Sequence, residues 1–268
     1  MKTVDEIVSL YTSRSRTNDS AKSRMRTLRD YYNGDVIVPL PELDTDEQSA
    51  VANLLSQGLD QTAMRIASTS PDIYCPPSDP SKKRSRDNAT KRRKALFGWW
   101  ENSRMDLQLA KRARHLIGYA TTVTQLRFNN KTGAPEWHLR DPLTTYPATL
   151  LNVDDLRPRD VIFSYERSLG WVQKHYPEAG RKFGGDGTAT EDQPINLIEY
   201  IDDEEHVLIG MRAPVQTSMF VTPGNTENKS IIIELERVNN PLGQTPVVCA
   251  QRINLDSAQG QFDGILGM

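Results

Sequence analysis

The hydrophobic period of the chain changes once, near Gly118, and that single change bounds the folds open to it. Before it, apolar residues recur at i, i+3, i+4 and i+7, the spacing of one helix face. After it they alternate, the spacing of one strand face. Val4, Ile7, Val8 and Tyr11 make the first helical stripe, and the polar run Arg16–Ser20 ends it. A basic segment from Lys22 to Tyr32 then stops at Asn33-Gly34. The clearest stripe is Val51, Leu54, Leu55, Leu59, Thr62, Ala63 and Ile66, with Gln57, Asp60, Gln61 and Arg65 turned away. Asp44, Thr45 or Asp46 is placed to cap this helix, and Ser68-Thr69-Ser70-Pro71 ends it. An extended piece, Ile73-Tyr74-Cys75, leads into a proline-rich run at 76–80 that excludes helix. From Ser81 to Ala120 the pattern predicts a helical hairpin, broken near Asn102-Ser103. Its second arm buries Leu109, Ala113, Leu116, Ile117 and Ala120.

Beyond Gly118, Thr124, Leu126 and Phe128 share one strand face and Gln125 and Arg127 the other. A glycine-containing loop, 129–133, joins them to a second strand at 137–140, a hairpin. Further strands are expected at 161–164, 196–201, 206–211, 230–235 and 246–250, interrupted by a short helix at 169–176. Gly184-Gly185-Asp186-Gly187 and Thr222-Pro223-Gly224-Asn225 read as loops. The fold class is therefore α+β, helices first and an antiparallel β-rich region after. By this reading 1–120 is a helical part, 121–255 a β-rich part, and 256–268 the start of a helix cut short at Met268, as if the polypeptide continued.

Composition narrows the function classes. No apolar run approaches the roughly 20 residues that span a bilayer, and the first residues lack the basic-then-apolar order of a secretory signal. A cytosol-like compartment is expected. In it Cys75 and Cys249, alone in their segments, serve as small buried hydrophobes rather than a disulfide. Charge is uneven: residues 1–120 hold 20 Lys/Arg against 15 Asp/Glu, and the remainder 13 against 20. A basic first half and an acidic second half suit surfaces that meet different neighbours, or each other in adjacent copies.

Chemistry-bearing motifs are sparse. His115, His138, His175 and His206 are widely spaced, with none at metal-ligand intervals from another His or Cys. No glycine-rich phosphate cradle and no nucleophile elbow is present. Asp154-Asp155 and Asp202-Asp203-Glu204-Glu205 read as solvated turns, not acid–base pairs. No catalytic residue, cofactor or metal is expected.

The strongest local signal is basic. Lys82, Lys83, Arg84, Arg86, Lys91, Arg92, Arg93 and Lys94 are opposed within their stretch only by Asp87. A solvated helix start is the plain reading, and contact with nucleic acid or an acidic partner the sharper one. Cations at a helix N-terminus oppose its dipole, which a partner would compensate. The adjacent Trp99 and Trp100 point about 100° apart on a helix, so one is expected in the hairpin core and the other in a second contact, intra- or intermolecular; core packing is the plain reading and interface anchors the sharper one.

The order of these segments resembles the first part of tailed-bacteriophage portal proteins, most closely the long-tailed actinobacterial-phage type. Arg29-Asp30-Tyr31-Tyr32-Asn33-Gly34-Asp35 is similar to the family's Tyr-Tyr-x-Gly element. Asn53-Leu54-Leu55 with Gln57, Asp60 and Arg65 follows, then Trp99-Trp100-Glu101-Asn102 with Asp106 and Leu109. Gly118-Tyr119-Ala120 stands at the helix-to-strand transition, with the family's Tyr-Gly order reversed. Asp141-Pro142 with Tyr146-Pro147 resembles the short strand after the first hairpin, and Gly260-Gln261-Phe262-Asp263 the approach to the channel helices. The resemblance implies a structural, non-enzymatic subunit of a homo-oligomeric ring, usually of twelve copies, at one vertex of the virion. Such a ring is assembled in the host cytoplasm and contacts the major capsid protein, the terminase and the head–tail connector. Double-stranded DNA passes nonspecifically through its channel. This stretch would be the outer wing, with the stem beyond Met268. The alternative is a nucleic-acid-binding module using the basic helix 82–94.

Overall fold

In a computed structural model of the chain, residues 1–35, 53–69, 72–129, 133–148, 157–185, 190–212 and 230–251 are described. The expected caps at 44–46, the carboxylates Asp154 and Asp155, the loop 222–225 and the segment 256–268 lie outside them. The fold is α+β, with helices first and antiparallel sheets after. Two compact units form, Met1–Asp19 with Thr144–Val247, and Ser20–Leu143 with the chain from Val248. These cut across the division at 120 expected from periodicity. Period reports local conformation, whereas a unit is defined by which apolar faces bury each other.

In the first unit, α1 (Val4–Thr17) is opened by a capping box. The Glu6 amide donates to Thr3 Oγ1 at 3.3 Å and the Thr3 amide to Glu6 Oε2 at 2.7 Å. α1 lays Ile7 on an antiparallel sheet of order β3-β4-β5-β6-β7, made of β3 (Thr145–Pro147), β4 (Val161–Ser168), β5 (Pro194–Ile201), β6 (Glu205–Arg212) and β7 (Ile231–Asn239). Ile7 is fully buried with Tyr146, Ile162, Ile198, Tyr200, Val207 and Ile209. A second cluster lies under α6 (Leu169–His175) and α7 (Pro177–Phe183), where Leu169, Val172 and Phe183 cover Ile195 and Leu197. The short helix expected at 169–176 is α6, and α7, with Pro177 in its N-terminal turn, is a further helix beyond it.

In the second unit, α2 (Asp19–Asn33) ends at Gly34, whose φ of +81° lets the chain reverse there. α3 (Leu54–Ala67) is capped by Asn53, whose side chain accepts from the Ser56 amide at 3.0 Å. α4 (Lys83–Asn102) and α5 (Met105–Tyr119) are separated at Ser103 and Arg104, the latter left-handed at φ 49°. Ala63 of α3 packs with Ala113 and Ile117 of α5. Leu54 and Ile66, expected in the same stripe as Ala63, are more than half exposed.

A three-stranded sheet, β2-β1-β8, completes this unit from β1 (Thr121–Asn129), β2 (Ala134–Arg140) and β8 (Val247–Gln251). β1 alternates its faces as expected, but burial follows position along the strand rather than face. Residues 121–125 are buried on both faces, whereas Leu126 and Phe128 are exposed. The first half of β1 is the sheet centre, with Thr121 Oγ1 donating to the Ala250 carbonyl at 3.2 Å, while the second half runs on as a hairpin paired to β2.

Candidate functional site

α4 carries every cation of the basic run except Lys82, its N-cap, and it is almost unpacked. Of its residues only Ala89 is buried. Lys83, Arg84, Arg86, Lys91, Arg92, Arg93 and Lys94 are exposed, and so are Leu96 and Phe97, at 43% and 42%. Lys82 offers no side-chain cap. Two cations have carboxylate partners, Lys82 with Asp79 at 3.0 Å and Arg93 with Asp72 at 2.8 Å, both solvated pairs of small energetic weight. Among the described residues no ion pair involves Lys83, Arg84, Arg86, Lys91, Arg92 or Lys94.

At about 100° per residue, these side chains fall into separate stripes. Lys82, Arg86 and Arg93 lie on the Ala89 side, Lys83 and Lys94 on a second stripe, Arg84 and Lys91 on a third, and Arg92 between the third and the first. A helix positively charged around most of its girth suits contact with a broad negative surface. Reading base edges would need a few aimed donors.

The far end of α4 is anchored. Trp99 Nε1 donates to the Pro135 carbonyl at 2.6 Å, and its ring meets Trp137 edge-on at 5.8 Å. Trp100 Nε1 donates to Asp106 Oδ1 at 3.0 Å. Both rings are half-buried, and each makes its own intramolecular contact, Trp99 with β2 and Trp100 with the start of α5. They hold the base of α4 while its basic half stands clear.

The carboxylate cluster at 202–205 is not the solvated turn expected. Asp202 is 7% exposed and Glu205 fully buried. Asp202 accepts from Tyr200 Oη at 2.7 Å and from the amides of Glu204 and Glu205 at 2.9 and 2.7 Å, with Lys2 Nζ at 3.6 Å. Glu205 accepts from the Lys2 amide at 2.8 Å and pairs with Arg237. Burial by itself raises the Asp202 carboxyl, but the hydrogen bonds and Lys2 outweigh it and hold it below the usual range. Burial and the Asp202 acceptor push the Tyr200 phenol well up. Both effects fit a tie between the N-terminus and the β5–β6 turn. Nothing local in the sequence signals it, because the cations that compensate the buried acids, Lys2 and Arg237, are far away in the chain.

The histidines have separate neighbours. His206 Nε2 lies 3.0 Å from Glu199 Oε1, His138 pairs with Glu136, and His175 stacks on Trp171 at 4.3 Å. Burial lowers the His115 pKa. Cys249 is buried and free, its thiol pushed up to about 12 by that burial, whereas Cys75 is only half-buried, not the core residue expected. Among the described residues no His/Cys/Asp/Glu group is arranged to hold a metal, and no helix is long and apolar enough to cross a membrane. No protein-family model matches the chain, and no curated protein matches it significantly.

Proposed function

We propose that the chain is a structural subunit of a portal-type ring, the outer wing part, with α4 as a helix covered by a neighbouring molecule. The observation that carries this reading is the packing of α4. A helix of 20 residues with one buried side chain draws little stability from its own unit, because helices in water are held mainly by tertiary packing. Lys82 with Arg86, and Lys91 with Lys94, also put like charges one turn apart, each costing a few tenths of a kcal/mol. A facing surface of opposite sign removes both penalties, and the acidic second half of another copy supplies one. The order of motifs shared with portal proteins adds the rest: a ring of about twelve copies, contacts with capsid protein, terminase and connector, and nonspecific passage of duplex DNA.

Electron microscopy and mass measurement of the full-length protein test it. An annular particle of one defined size is expected, lost when Arg92, Arg93 and Lys94 are each changed to Glu in a protein that keeps its circular dichroism. Monomers alone at high concentration would overturn it. The unneutralised cations of α4 favour a second reading, a nucleic-acid-binding helix. In that case a monomer binds duplex DNA, the same triple variant abolishes binding, and affinity falls steeply with salt.

A further inference from the structure

α2, α3 and α5 line a half-open pocket of about 330 Å³ that neither reading above uses. It is walled by Leu28 and Tyr32 of α2, Leu59 of α3, and His115, Gly118 and Tyr119 of α5. Arg29, Lys111 and Arg114 also line it, and no carboxylate does. The volume lies at the lower end of the ~300–1,000 Å³ usual for small-molecule sites. The chemistry of the wall is divided. Two leucines, the bare backbone of Gly118 and three flat rings give an apolar interior, with the His115 and Tyr119 rings 5.7 Å apart and inclined at 47°.

The cations are held in different ways. Asp60 Oδ1 accepts from Arg114 Nε at 2.7 Å and from Tyr32 Oη at 3.0 Å, which fixes both side chains across the α2–α3–α5 junction. That contact uses only the Nε edge of the Arg114 fork, and an arginine has further donors. Arg29 is paired with Asp30 at 3.5 Å, a solvated contact. Lys111 has no ion-pair partner among the described residues. A prepositioned arginine, a lysine and a second arginine around an aromatic and aliphatic floor match a ligand with a flat ring and a negative group. A neutral aromatic compound would leave the cations idle, and a bare anion would leave the rings idle. We propose that this pocket binds a small aromatic anion, of which a nucleoside monophosphate is the chemical type.

The experiment is calorimetric titration of the full chain with AMP, with adenosine and inorganic phosphate in parallel. Saturable AMP binding with a Kd below about 1 mM is expected, with adenosine and phosphate each at least about tenfold weaker. Lys111→Glu, an exposed change that leaves the Asp60 junction intact, should weaken AMP about tenfold. Lys94→Glu, the same charge change on α4, should leave it unaltered. Circular dichroism checks that both variants are folded. No saturation by about 10 mM AMP, adenosine binding as tightly as AMP, or equal effects of the two variants would each overturn the proposal. Ring formation is read separately by microscopy, so this result and that for the portal reading stand apart.

Discussion

Lys22 is the most consequential charge in the second unit, and its titration gives a sharp test of the packing. Its side chain is 2% exposed and its ammonium donates to the Pro142 carbonyl. Burial lowers its pKa from 10.5 to about 7, partly opposed by Asp141. The folded state therefore releases this proton as pH rises through about 7, while the unfolded chain keeps it to about 10.5. Between those values the unfolded state binds more protons, so stability rises with pH. Below about 7 both states are charged and the full penalty of burying the ammonium is present. At about 1.36 kcal/mol per unit, the gain from pH 6 to pH 9 is about 2–3 kcal/mol. Lys22→Met cannot titrate, and subtracting its stability from that of the wild type cancels other groups. Urea unfolding, read by the fluorescence of Trp99, Trp100 and Trp137 in a Trp171→Phe background, measures the difference within the unit that holds Lys22. A wild-type-minus-variant difference that stays constant within about 0.5 kcal/mol from pH 6 to 9 would refute the reasoning. It would mean that the Lys22 ammonium remains charged inside the fold.

Other outcomes follow from single contacts. Ile7→Ala opens the core under α1 and is expected to cost about 2–5 kcal/mol, with faster amide exchange along Val4–Thr17 checking that α1 is what loosens. A methyl group added at Gly180 would lie 2.6 Å from Gln173 Cα, a backbone atom that cannot swing away. Gly180→Ala should therefore lower stability by about 1–3 kcal/mol in thermal unfolding. Asp202 has its carboxyl held low, so its stabilisation is present above the unfolded carboxylate pKa near 4 and is lost as pH falls through the lower folded value. In acid titrations followed by circular dichroism, Asp202→Asn should lack that limb.

Much of the fold was legible because it is local. The C-terminal ends of α2 and α5, the break at Ser103 and the strands β4, β5 and β6 follow from period, capping residues and glycine, all read within a few residues of where they act. The basic surface of α4 was legible for the same reason, since consecutive like charges cannot bury without partners. Less was visible where the outcome depends on distant chain. α3 shows an apolar stripe, yet Leu54 and Ile66 face outward, because only the part of that stripe near Ala63 meets Ala113 and Ile117.

The sequence by itself determined the class of structure, helices and then antiparallel strands, because side-chain period is a property of each segment. Tertiary structure alone decided that α1 belongs with strands more than 120 residues away and that Asp202 and Glu205 are buried against Lys2 and Arg237. It alone decided that β1 is central for half its length, and that Arg29, Lys111 and Arg114 line one pocket. Each of these rests on which apolar faces cover one another, a choice made by loop closure and packing between segments, and so not written in any one of them.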